Sequence, residues 1–123
     1  MTFDKLISHA RTVLNPRQIA RNASAGGVAA ALLTEKGHVY TGVCIDTACG
    51  MGFCAEHAAI AAMITAGESR IIKIVAIGAE GVMPPCGRCR EFMNQIHDQN
   101  MLAEVMVSGD AVVTLRELLP FHY

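Results

Sequence analysis

Charged residues are scarce: Asp, Glu, Lys and Arg make up 17% of 123 residues and sum to a formal net charge of −1. No basic block forms anywhere along the chain. Binding to a nucleic-acid polymer, which draws most of its affinity from clustered Lys and Arg neutralising phosphates, is therefore not expected. A long apolar run is missing as well, since the longest, Gly26 to Leu33, falls far short of the roughly 18 to 20 residues a membrane-spanning helix needs. No membrane role is expected. The first residues, Met1-Thr2-Phe3-Asp4-Lys5-Leu6-Ile7-Ser8-His9, scatter charge among apolar positions and lack the apolar core and cleavage site of a secretory leader, so the expected location is cytoplasmic. The chain shows no internal repeat and no low-complexity linker, and its length fits one folded unit, residues 1–123.

What is present is apolar. Hydrophobic residues make up 52%, and so small a fold must hide an unusual share of surface in its core or against partner subunits. That composition points to a homo-oligomer. Five cysteines cannot all pair, and in a reducing compartment they point to metal binding or catalysis before disulfides.

Apolar residues at Phe3, Leu6, Ile7, Ala10, Val13 and Leu14 recur at helical spacing between a Thr2 cap and an Asn15-Pro16 stop. Val28 to Leu33 and His38 to Ile45 predict a hairpin around Thr34-Glu35-Lys36-Gly37. Ala55 to Ala66, apolar almost all round and closed by Gly67, predicts a helix buried on most sides. The nearly continuous β-branched segment Ile71 to Ile77 predicts a strand covered on both faces. Gly81 to Pro85 reads as a loop, Gly87 to Asp98 as a helix, and Val105 to Val107 and Ala111 to Val113 as short strands. A capping box, Thr114 with Glu117, opens a last helical turn over Leu115 to Leu119 that Pro120 stops. The expected fold is a three-layer α/β/α sandwich, a mixed sheet of about five strands flanked by helices.

Three thiols stand out within that order. Cys54-Ala55-Glu56 and Pro85-Cys86-Gly87-Arg88-Cys89 each open a helix, and a helix N-terminus favours thiolate. Cys86 and Cys89 lie on one side of a first turn, and Cys54 can approach from the other helix as a third ligand. Three protein ligands leave one tetrahedral position open, which distinguishes a catalytic zinc site from a closed structural one. Glu56, two residues after a ligand, is placed to carry protons, and C-x-E followed by P-C-x-x-C is the signature of zinc-dependent nucleobase deaminases.

From about Val28 to Tyr123 the sequence resembles the cytidine deaminase family, most strongly in CAEHAAI, IVAIG, PPCGRCREF and LRELLP. In the wording around PCGRCR and LRELLP it is similar to the blasticidin S deaminase branch. The resemblance implies Zn²⁺ on Cys54, Cys86 and Cys89, with Glu56 as proton shuttle in releasing ammonia from a cytosine-type nucleoside or analogue. It also implies a homotetramer with sites at subunit boundaries. Three thiolates on Zn²⁺ leave a net −1 charge that opposes forming hydroxide, so a nearby cation is expected to compensate, with Arg88 preferred to His57 and Arg90. His57 stands where many family members have Arg, a departure that moves this role elsewhere or makes it pH-sensitive.

At the expected sugar-gripping positions this chain has Cys44 and Asp46, in place of an amide and a longer carboxylate. Gly26 stands near the position of an expected aromatic residue, and Tyr123 falls where the family ends in an aromatic that covers the substrate. Cys44, Asp46, Ala55 and Tyr123 are accordingly the candidate substrate contacts. Two other classes compete with an enzyme of this kind. One is a structural zinc module with Cys49, Cys44 or His57 as fourth ligand; the other is a thiol oxidoreductase using Cys86-Gly87-Arg88-Cys89.

Overall fold

The longest strand, β2 (Ala23–Thr34), organises the sheet. In the computed structural model, which describes Met1–Tyr123, β2 pairs antiparallel with β3 (Val39–Thr47) on one edge. Its other edge carries β1 (Arg17–Ala20) along the first residues and β4 (Ile71–Gly78) along the rest. β4 in turn pairs antiparallel with the short β5 (Gly81–Met83) and parallel with β6 (Glu104–Ser108), and β7 (Ala111–Thr114) closes the far edge. The sheet is mixed, as expected, but has seven strands rather than five. The two unforeseen strands have no burial pattern to reveal them: every residue of β1 is exposed, and β5 is three residues in a tight Gly78–Gly81 hairpin. Backbone pairing, not apolar periodicity, holds both in place.

Helices cover both faces. On one side α1 (Phe3–Val13), capped by the Thr2 hydroxyl accepting from the Lys5 N–H, buries Leu6 and Ala10 against Ala29, Ala31, Val75 and Ile77. On the other side α2 (Ala55–Thr65), α3 (Gly87–Ile96) and α4 (Leu115–Leu118) pack over Leu32, Ile74 and Val105 through Ile60, Met63, Met93 and Leu115. Alternate side chains of β2 and β4 feed the two cores, as the period of a strand requires. The capping box at Thr114 and Glu117 forms as read from the sequence. α2 departs from expectation, because Ala61, Ala62 and Ile64 face solvent and only one side of the helix is buried.

Glycine decides two close approaches. Gly42 lets α2 lie directly on β3, where a Cβ would overlap the Ala58–Ala59 backbone. Gly26 sits in a bulge of β2 at φ +82°, and a Cβ there would strike the Asn15 carbonyl. Its smallness thus serves the α1–β1 connection.

A 3₁₀ turn over Asp98–Leu102 carries a clamp that sequence reading did not anticipate. The fully buried Asn100 accepts from the Ile71 N–H through Oδ1 at 2.8 Å and donates through Nδ2 to the Ser69 and Met93 carbonyls, each at 3.0 Å. Asn100→Ala would leave a buried donor without its partner and weaken two acceptors, a loss expected to cost about 2–4 kcal/mol. A lowered denaturation midpoint with an unchanged m-value checks this.

Candidate active site

Two helix N-termini meet beside the carboxyl ends of β3 and β4 and the first half of the antiparallel β2. Cys54 is the N-cap of α2 and Cys86 the N-cap of α3, and neither side chain caps its own helix, so both sulfurs are free to face each other. They lie 3.3 Å apart. Cys89, in the first turn of α3, is fully buried behind them, and all three sulfurs fall within 4.8 Å of one another. Zn–S bonds of about 2.3 Å in tetrahedral geometry place sulfurs roughly 3.8 Å apart, so the spacing and the soft donor set fit a zinc ion.

The electrostatics also favour a cation. Burial pushes the Cys89 thiol far above its ordinary range, and the negative charge of Glu56, Cys54 and Cys86 adds to the rise. Cys54 is raised by burial and by its contact with Cys86. Cys86 alone is lowered: its burial is outweighed by the Cys89 and Arg88 backbone N–H groups and by the neighbouring thiols. A positive ion among the three sulfurs would offset the burial and the repulsion that raise Cys54 and Cys89.

Glu56, in the first turn of α2, is only 5% exposed. Burial raises its pKa, partly opposed by its own backbone N–H. The carboxylate lines a cavity of about 470 Å³ together with Cys54, Cys86, Cys44, Asp46, Ala55 and Arg88. Cys44 accepts a hydrogen bond from the Val28 N–H at 3.2 Å. Val28, Phe53 and Met83 line it as well. Sequence reading did not single them out, although Phe53 directly precedes the C-x-E motif.

The other candidates lie apart from this cavity. Tyr123 is 96% exposed, its N–H donating to Glu91 Oε1 at 2.6 Å, and it does not reach the cavity of its own chain. Arg90 donates to the Pro85 carbonyl at 2.9 Å and to the Leu118 carbonyl at 3.2 Å, which ties the start of α3 to α4. His57 stacks on Phe92 at 4.3 Å between ring centroids and tilts against Phe53 at 5.5 Å, with Nδ1 buried and unpartnered. Burial, and then the Arg88 charge, lower its pKa. Of the three candidate cations, Arg88 alone lines the cavity.

Residues 4–105 match the family described as the cytidine and deoxycytidylate deaminase zinc-binding region. The chain belongs to this family. A cytidine deaminase of Mycobacterium tuberculosis is 35% identical over 68 residues, which cover 54% of this chain and 51% of that protein. The chain thus spans about half the length of the curated relatives it matches first. Among solved structures, the cytidine deaminase of Mycobacterium leprae superposes with a TM-score of 0.82 at 27% identity, over 98% of this chain and 99% of that one. That of Burkholderia pseudomallei gives 0.81 at 28% identity over the whole of both chains. Membership of a zinc-binding family agrees with the three-sulfur cluster.

Proposed function

We propose that the protein is a zinc-dependent hydrolase that removes the exocyclic amine of cytidine, deoxycytidine or a related nucleoside as ammonia. The observation that carries this reading is the cluster of Cys54, Cys86 and Cys89 within 4.8 Å, opening on the cavity that the buried Glu56 lines. Held by the three thiolates, Zn²⁺ would supply a Lewis acid that lowers the pKa of a water molecule to near neutrality. Glu56 takes a proton from the attacking water and passes it to the ring nitrogen beside the amine-bearing carbon. It then delivers the second proton to the departing amine, which leaves as ammonia while the ring carbon becomes a carbonyl. Burial keeps the carboxylate out of bulk water and brings its pKa closer to that of the groups it serves.

Ala55 and Asp46 are read as substrate contacts, with Cys44 closing the same wall. Tyr123 is read as a contact to a neighbouring subunit's substrate, because it cannot reach its own. The exposed Ala61, Ala62 and Ile64 on α2 and the exposed Phe121 and Tyr123 at the C-terminus offer apolar surface to partner subunits and support a homo-oligomer, read as a tetramer; the chain is read as one domain, residues 1–123, located in the cytoplasm. The different-class alternatives fare less well. A closed structural zinc needs a fourth protein ligand, whereas the cluster has three; Cys44 is engaged with Val28, His57 stacks on Phe92, and the exposed Cys49 lies outside the cluster. A thiol oxidoreductase leaves Cys54 and Glu56 without a purpose. The relatives matched are cytidine deaminases, which does not favour the blasticidin alternative.

Ammonia release by the zinc-loaded protein from cytidine, deoxycytidine, cytosine and blasticidin S tests the reading. Release from a cytosine nucleoside is expected, and silence across the panel would refute it. Arg88→Ala is expected to lower kcat about tenfold with zinc retained, through loss of a charge-assisted contact to the site. Metal analysis alongside turnover checks this, and an unchanged kcat would remove Arg88 from the mechanism.

A further inference from the structure

Each helix that supplies a sulfur also carries a ring one turn further in. His57 follows Cys54 by three residues on α2, and Phe92 follows Cys89 by three on α3. Residues three apart on a helix share a face, so bringing the sulfurs together brings the two rings near each other. They meet face to face, His57 stacking on Phe92 with 4.3 Å between centroids and 20° between planes. His57 also lies against Phe53, at 5.5 Å and 38°. Phe53 is itself anchored to β3, its N–H donating to the Ile45 carbonyl at 3.0 Å and its carbonyl accepting from the Ile45 N–H at 3.1 Å. Phe92 packs against the core that Ile60, Met63 and Met93 build.

The imidazole is held by its faces rather than by its nitrogens. Nδ1 is buried without a hydrogen-bond partner, an arrangement that costs stability unless something else offsets it. Burial, and then the Arg88 charge, lower the His57 pKa, so its surroundings favour the uncharged ring. A group meant to offset thiolate charge would be favoured in its charged form and bonded to sulfur, which is the opposite setting. The other anchors of these helices lead elsewhere: Gly42 seats α2 on β3, and Arg90 ties the start of α3 to α4. The ring stack joins α2 to α3 themselves, one helical turn from the sulfurs. A small rotation of either helix there would change the spacing of the sulfurs and the placement of Glu56, the residue next to His57.

We infer that His57 is a positioning residue: by stacking on Phe92 and lying against Phe53, its ring fixes the starts of α2 and α3 relative to each other and holds Cys54, Cys86 and Cys89 ready for zinc. The inference rests on the reading of the three sulfurs as the zinc site. Ring contact carries the effect, so a flat aromatic of similar size at position 57 serves as well as histidine. Ligands held in place beforehand bind metal more tightly, because less chain has to be ordered on binding. Residues that orient metal ligands typically account for about 10–100-fold in metal affinity.

The test reads metal binding and needs no substrate. Zinc affinity is measured on reduced, metal-stripped protein by competition with a chromophoric chelator, for the unmodified chain, His57→Ala, His57→Phe and Phe92→Leu. His57→Ala and Phe92→Leu should each bind zinc about tenfold more weakly, and His57→Phe within about threefold of the unmodified chain. The same proteins loaded with Co²⁺ give a second readout. Their visible absorption bands, which report the geometry of the sulfurs about the ion, should be shared by the unmodified chain and His57→Phe and altered in His57→Ala. Should His57→Ala fail to fold, Phe92→Leu and His57→Phe, which keep most of the side-chain volume, decide the matter. Unchanged affinity in His57→Ala or Phe92→Leu overturns the inference. An equal loss in His57→Phe and His57→Ala overturns it too, since the effect would then belong to an imidazole nitrogen. Failure of the metal-site reading shows differently, as an unmodified chain that binds no zinc at all.

Discussion

Glu56→Ala is expected to lower kcat for ammonia release by about a thousandfold or more, with the fold and the zinc content unchanged. General acid–base groups contribute roughly 10²–10⁴-fold, and Glu56 serves both proton transfers, so its loss falls toward the upper end of that range. The effect should lie in kcat more than in KM, because the proton transfers occur on the way to the transition state and not on binding. Stability supplies an independent readout. Burial raises the Glu56 pKa above that of the unfolded chain, so ionising it costs folded-state stability once pH rises past the ordinary carboxylate value. In metal-free protein at pH 7, Glu56→Gln should therefore melt no lower than the unmodified chain. A Glu56→Ala protein retaining more than about a tenth of kcat would exclude the carboxylate as the proton carrier.

Cys89→Ala carries the second large effect. Cys89 is fully buried and lies behind the two N-cap cysteines, so its loss removes one of three ligands and opens a space that solvent does not readily fill. Zinc content should fall from one per chain to about a tenth or less, and turnover should fall by at least about a thousandfold. The melting temperature should approach that of chelator-stripped protein, because metal bound only to the folded state stabilises it by mass action. Cys44→Ala and Cys49→Ala, outside the cluster, should keep their zinc. Stoichiometric zinc in Cys89→Ala would show that the metal sits elsewhere and would overturn the assignment of the cluster. Loss of function in Cys86→Ser that needs no metal would instead favour redox chemistry.

Much of this was legible beforehand because it depends on local order. Helix caps, the capping box at Thr114 and Glu117, the hairpin at Thr34–Gly37 and the buried strand at Ile71–Gly78 are short-range patterns, and the chain forms them where the patterns stand. The cysteines were legible for the same reason, since a thiol before or within the first turn of a helix is placed by that helix alone. β1 and β5 were not legible: edge strands held by backbone pairing have no hydrophobic period to betray them. Asn100 was not legible either, because its three partners come from segments up to 31 residues away in sequence.

Three thiols, one carboxylate and their placement at two helix starts were determined by sequence alone, through spacing that any α/β packing would respect. Only the tertiary structure decided which of the surrounding residues belong to the site. It placed His57 between two aromatic rings, gave Arg90 to the α3–α4 junction, and left Tyr123 outside its own cavity. The physical reason is distance along the chain. Ligand spacing within a motif spans a turn of helix, whereas the walls of a cavity are assembled by sheet register and helix packing between segments far apart in sequence.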